Sequence, residues 1–269
     1  MAPIWKLSDD NSTVFLAGSV HLLREQDMPI PAAFDRVYDQ SAEVVFEIDL
    51  SEMMNPATAL KIREAGSLPP GETLADKLSA ETIKGLRSYL ADQNLPTNAF
   101  DPLSPGMVYI TLGSMEAMRQ GARPDLGLET RFYRKCANDN KPSRGLGTAV
   151  FQITRFDEID TATVEQLITE SLEEIEESEE SLDEIISAWK SGDEQEITEL
   201  VVDRLSETPE VKKVLLDDRN ANWIPEIEKA LEEEKNVLFI VGAAHLAGEG
   251  SVVDLLRKKG HEVTQLPAN

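Results

Sequence analysis

The chain has 269 residues, 41% of them hydrophobic, enough for one large domain or two small ones with a sizeable core. Its 50 acidic and 26 basic residues give a formal charge of −24, which argues against nucleic acid or an anionic membrane surface as partner, because both are polyanions. No apolar run is long enough for membrane insertion, and the lone Cys136 excludes an internal disulfide.

The opening Met1-Ala2-Pro3-Ile4-Trp5-Lys6-Leu7 lacks the basic-then-apolar layout of a signal peptide and leads almost directly into a strand. It reads as a mature domain, periplasmic or secreted with its leader removed; a cytoplasmic start is the alternative. Residues 4–7 and 13–17 read as a hairpin across a turn-rich run. Residues 31–40 read as a short helix with Phe34, Val37 and Tyr38 on one side. The apolar stretch 43–50 is a strong strand and completes a βαβ-like unit. Residues 51–121 are mostly helical, interrupted at Pro69-Pro70-Gly71, with Ser79 as an N-cap and the methionines of 107–118 as core filler.

Residues 126–138 form a further predicted helix, in which Cys136 packs, and 141–146 a short strand. In 163–205, apolar residues from Val164 to Trp189 recur at three- and four-residue spacing, the mark of one buried helical face. The acidic run 173–180 is its solvated side, since no calcium loop is present. Ser191-Gly192-Asp193 breaks this helix. An amphipathic helix at 222–234, a buried strand at 236–241, a helix at 250–259 closed by Gly260 and a last strand at 261–266 form a second βαβ unit. The predicted fold is α/β, with a mixed or largely parallel sheet built from the two terminal units. It is a single domain over 1–269, with helical inserts at about 51–121 and 163–234.

Gly18-Ser19-Val20-His21 and Gly242-Ala243-Ala244-His245 repeat one pattern, Gly-x-x-His, each copy after a short apolar strand. They hold two of the three histidines. Glycine permits a sharp exit from a strand, and the histidine then sits beyond the strand's C-terminal end, where open parallel sheets bind ligands. Glu47 ends another apolar strand, with Asp49 on the same side by period-two alternation. A buried acid there requires a partner or a metal. His21, Glu47 and His245 together make a nitrogen and oxygen donor set suited to zinc, manganese or cobalt. The alternative is that Glu47 caps a backbone or pairs with an arginine. Arg219 is a candidate clamp for a carboxylate or phosphate, or a surface partner of Asp217 or Asp218. His261 reads as exposed or packed. No dinucleotide fingerprint, phosphate loop or serine elbow is present.

Several segments in order resemble the TraB/GumN family: Ile4-Trp5-Lys6-Leu7, residues 14–23 around His21, Phe46-Glu47-Ile48-Asp49-Leu50, Arg219-Asn220 with Trp223, and residues 241–248 around His245, followed by 255–263. That family includes pheromone-shutdown proteins and Tiki-type metal-dependent proteases, and is related to erythromycin esterase-like and ChaN-like haem-binding proteins. The resemblance implies a metal-dependent hydrolase, most simply a peptidase. Its peptide or small-molecule substrate would meet His21, Glu47, His245 and Arg219, with a divalent metal (manganese, cobalt or zinc) on His21, Glu47 and His245. The family's Gly-Leu-Glu-Thr segment reads Gly145-Leu146-Gly147-Thr148 here, so the acid is absent at Gly147, whereas Gln152 is kept. Glu129, in Gly127-Leu128-Glu129-Thr130, resembles the missing segment only superficially; its context is the helix entry that precedes it. The departure at Gly147 favours the alternative, a weakened binding protein that sequesters a peptide or haem-like ligand in the same cleft.

Overall fold

The computed structural model describes residues 1–53, 55–177 and 181–268. Part of the predicted acidic run, residues 178–180, therefore lies outside the described residues. The chain's contacts group it into two compact units. The first takes residues 1–50, 121–147 and 181–269; the second takes 51–120 and 148–180.

The first unit is built on a six-stranded sheet. Its strands are β1 (Ile4–Ser8), β2 (Thr13–Ser19), β3 (Glu43–Ile48), β4 (Ser143–Gly147), β5 (Val237–Gly242) and β6 (Thr264–Gln265), in the spatial order β4-β3-β5-β2-β1-β6. The four strands β4, β3, β5 and β2 run parallel, and β1 joins β2 as the predicted antiparallel hairpin. The fold is thus α/β with a largely parallel sheet. The last strand departs from expectation: only Thr264 and Gln265 pair, antiparallel to β1, so the C-terminal strand–helix–strand is not a parallel crossover.

Period-two alternation sorts the strand residues between two faces. Ile4, Phe15, Ala17, Phe46 and Ile240 pack with Phe34 and Tyr38 of α1 (Ala33–Gln40), Phe132 and Cys136 of α2 (Leu128–Asp139) and Trp189 of α3 (Ser181–Ser191). Trp5, Leu7, Leu16, Val45 and Phe239 face the other way, onto Trp223, Ile224 and Ile227 of α4 (Asp218–Glu232) and Val252 and Leu256 of α5 (Val252–Lys258). Cys136 is a packed core thiol whose pKa burial raises. Gly260 ends α5 at φ +96°, as the helix-stop reading requires.

The second unit is helical. Ser79 caps the helix Ala80–Asp92 by accepting from the Thr82 N–H, and that helix and Pro105–Arg119 both pack on Thr161–Glu177. The apolar pattern of 164–189, read as one face, is divided: Val164 and Ile168 are buried in this unit, Ile186 and Trp189 in the sheet unit.

Candidate functional site

Three strand ends meet at one edge of the sheet because β5 lies between β2 and β3, all parallel. Ser19 pairs with Gly242 on one side, and Phe46 with Ile240 on the other. Glu47, the last residue but one of β3, lies beside them, and alternation sets it on the face of Val45, toward α4. The turns that carry His21 and His245 leave from adjoining strands at the C-terminal edge, the ligand-binding edge of parallel sheets.

The two glycines do a different job from the one expected. Neither has a positive φ; Gly18 is needed for space, and Gly242 leaves a small hollow open. A Cβ on Gly18 would lie 3.1 Å from the Ala243 Cα, so this glycine lets the two turns touch. A Cβ on Gly242 would stand 3.4 Å from Glu47 Oε2, 3.5 Å from His245 Cδ2 and 4.0 Å from His21 Nε2. The bare face of Gly242 is the hollow around which all three candidate residues gather.

Glu47 is buried. Arg219 Nη2 donates to its Oε1, and the Gly242 N–H donates to its Oε2 at 2.9 Å. Burial alone would raise its pKa, but the charge of Arg219, aided by His245 and His21, outweighs this and holds it well below the usual carboxylate range. Arg219, in the first turn of α4, thus meets Glu47 rather than Asp217 or Asp218, which pair with Lys212 and Lys213. The arginine-pairing alternative for Glu47 is realised. Asp49 falls just beyond the end of β3, where its N–H donates to the Gly147 carbonyl.

His245 is buried, and its Nδ1 meets Asn220 Oδ1 at 2.7 Å. The Asn220 amide orientation is set by its Nδ2, which donates to the Gly250 carbonyl. Its Oδ1 therefore accepts, and the His245 Nδ1 carries the proton. The remaining Nε2 stands 3.9 Å from Glu47 Oε2. Burial pushes the His245 pKa down to about 3, with Arg219 and His21 in the same direction and Glu47 opposed. The Trp223 ring lies 4.5 Å from the imidazole and 4.9 Å from the Arg219 guanidinium.

His21 has a carboxylate in the corresponding place: its Nδ1 is 2.8 Å from Glu129 Oε1. Ser19 Oγ–H donates to the same oxygen. The Glu129 charge raises the His21 pKa above its ordinary value, against the effect of desolvation. The side chain of His21 is 66% exposed and Glu129 is buried. Gly127 makes this possible, since a Cβ there would lie 2.0 Å from the His21 carbonyl oxygen. Chain entry into α2 at that close crossing delivers Glu129 in the first helical turn. Glu129 and Asn220 are the site residues that sequence reasoning missed. Gly-Leu-Glu at a helix entry was the available signal for the first, and adjacency to Arg219 for the second.

Among the described residues, no three His, Cys, Asp or Glu side chains are set closely enough to hold a metal ion as they stand. The donor chemistry nevertheless fits a divalent ion. Both imidazoles spend Nδ1 on a protein acceptor, which is how metal-binding histidines are oriented, and His21 Nε2 reaches the Gly242 hollow from an exposed side chain. His261 takes no part and meets Glu228 at 3.0 Å. Gln152 belongs to the helical unit. Gly147 pairs with Ile48 at the end of β4, and a Cβ there would meet only the Glu47 carbonyl oxygen, at 3.8 Å.

Comparison with known proteins gives one family: residues 3–265 match the TraB/PrgY/gumN family. The uncharacterized protein YbaP of Escherichia coli (strain K12) is 22% identical over 247 residues, which cover 92% of this chain and 89% of that protein. Its counterpart from Shigella flexneri is 22% identical over 242 residues, 90% of this chain and 87% of its own. No solved structure matches.

Proposed function

This chain belongs to the TraB/PrgY/gumN family, and from that premise and the strand-end geometry we propose that it is a divalent-metal-dependent hydrolase acting on peptide bonds. The observation that carries the reading is the commitment of both imidazoles at Nδ1, to Glu129 and to Asn220, with both Nε2 atoms left near Glu47. His21, His245 and Glu47 would hold the ion, which when bound supplies Lewis-acid polarisation of a scissile carbonyl. Zinc, manganese and cobalt all suit this donor set.

The protein groups have separable tasks. Arg219 and the Gly242 N–H keep Glu47 ionised and fixed, an anionic donor that needs no deprotonation. Asn220 locks His245 in one tautomer, with a neutral Nε2. Glu129 meets His21 at Nδ1 and so leaves Nε2 as the donor atom toward the Gly242 hollow. The family reading also carries a periplasmic or secreted location, which fractionation of expressing cells tests.

The glycine at 147 favours a second reading, a binding protein that retains a peptide or haem-like ligand at this edge without hydrolysis. The two readings separate in one experiment. Metal content is measured for the wild type, His21→Ala and His245→Ala, and a peptide library is incubated with and without manganese or zinc. The hydrolase reading expects near-stoichiometric metal that both substitutions abolish, and cleavage that depends on it. Metal retained by both variants defeats the metal site. Tight metal binding without cleavage, together with cleavage gained in Gly147→Glu, favours the second reading.

A further inference from the structure

Arg219 and Asn220 are adjacent in sequence, yet one engages Glu47 and the other His245. The segment immediately before them is not α-helical. Residues Lys213–Asp217 form a π-turn, closed by the Asp218 N–H donating five residues back to the Lys213 carbonyl. One residue more per turn rotates everything that follows by about 100° relative to an unbroken α-helix.

Two ion pairs match this turn and no other helical geometry. Lys212 Nζ meets Asp217 Oδ1 at 2.7 Å, and Lys213 Nζ meets Asp218 Oδ2 at 2.8 Å. Both are spaced i to i+5. On an α-helix such residues are not neighbours; the facing spacings are three and four. In a π-turn they line up. The run Lys212-Lys213-Val214-Leu215-Leu216-Asp217-Asp218 therefore carries its own register signal.

The turn also touches the site directly. Arg219 Nη1 donates to the Leu215 carbonyl at 3.4 Å, inside the π-turn, while Nη2 holds Glu47. A Cβ on Gly250 would lie 3.3 Å from Asp217 Oδ1 and 3.5 Å from Lys212 Nζ, so this ion pair packs on the loop that follows His245. Asn220 ties to the same loop through the Gly250 carbonyl.

We propose that the π-turn 213–217, latched by the Lys212–Asp217 and Lys213–Asp218 pairs, is the register device that aims Arg219 at Glu47 and Asn220 at His245. Lys212 and Asp217 are then positioning residues for the site. The inference concerns the placement of these groups and stands whether or not the site hydrolyses anything.

The readout is nitrogen NMR of the imidazoles in the 269-residue chain, which has three histidines. The Nδ1-protonated state of His245 reports the Asn220 contact, and it is the same with or without an ion on Nε2. Deletion of Leu215, which restores the α-register, should abolish that signature while His261 keeps its wild-type signal. Asp217→Asn should leave the signature in fewer than half the molecules, and the charge swap Lys212→Asp with Asp217→Lys should return it to more than half. A folded Leu215 deletion with an unchanged His245 signal overturns the proposal. Should the deletion not fold, an unchanged signal in Asp217→Asn overturns it equally. Loss in Asp217→Asn that the swap does not restore removes the latch from the account.

Discussion

The two Gly-x-x-His turns leave neighbouring parallel strands with the same spacing, yet their imidazoles are in opposite electrostatic situations. His21 is exposed and bonded to a carboxylate; His245 is buried and bonded to an amide. The first is driven toward the charged form and the second toward the neutral form. One sequence pattern therefore sits in two environments: the Glu129 charge raises the His21 pKa, and burial lowers that of His245. The groups on Nδ1 come from elements far away in sequence, α2 for Glu129 and α4 for Asn220. The pattern supplies position, and the packing of two other helices supplies the partners.

Glu47 is common to both turns, so its partner gives the largest expected effect. Arg219→Met leaves a buried carboxylate without its cation and should cost about 3–5 kcal/mol in urea unfolding. Adding Glu47→Gln should recover most of that loss. If Arg219→Met is as stable as wild type, the ion pair does not hold the turns together.

The glycines distinguish the turns next. Gly18→Ala forces a methyl against the Ala243 backbone and should destabilise the fold by about 1–3 kcal/mol, read from the same denaturant curves. Equal stability would mean that the turns are free to part.

The pH response sharpens the contrast between the imidazoles. His245 has a folded pKa lowered to about 3, against 6.5 in the unfolded chain. Below 6.5 the unfolded chain binds a proton that the folded one refuses. The contribution is therefore present above 6.5 and is lost as pH falls toward 3, by up to about 1.4 kcal/mol per pH unit. His21 has the opposite sign: its contribution is present below 6.5 and is lost as pH rises through its raised folded value. The difference in stability between wild type and His245→Asn, followed from about pH 7 to about pH 5, isolates the first effect. Asn220→Asp, which gives His245 a carboxylate like that of His21, should flatten the slope; an unaltered slope would break the comparison.

The smallest change in stability is expected of Gly242→Ala. Its methyl would make ordinary contacts with Glu47 and His245, so stability should move by less than about 1 kcal/mol. It should nevertheless fill the hollow and abolish metal uptake. Retained uptake would place the ion elsewhere.

The meeting of His21, Glu47 and His245 at one sheet edge was legible in the sequence because strand ends are: an apolar run, then glycine or an acid, marks where a strand stops. Arg219 was legible as a clamp but not with its partner, since its distance from Glu47 is closed only when α4 covers the sheet. Glu129 and Asn220 depended on crossings that no local pattern states. The π-turn was missed for a different reason: periodicity reading assumes one helical pitch throughout, and the five-residue spacing of Lys212–Asp217 and Lys213–Asp218 has meaning only once that assumption is dropped. The short β6 was overextended for want of a signal that β1, not β5, is its partner. The apolar face of 164–189 read as continuous because periodicity does not show which core each half enters.

The indole of Trp223, tilted against the His245 ring and beneath the Arg219 guanidinium, gives the site an optical voice of its own. The chain has three tryptophans, and with Trp5 and Trp189 replaced by phenylalanine the emission that remains comes from this ring. A charge gained on the imidazole or a displaced guanidinium changes the surroundings of that fluorophore. Occupancy of the site can then be followed in real time, without a label and before any substrate is known.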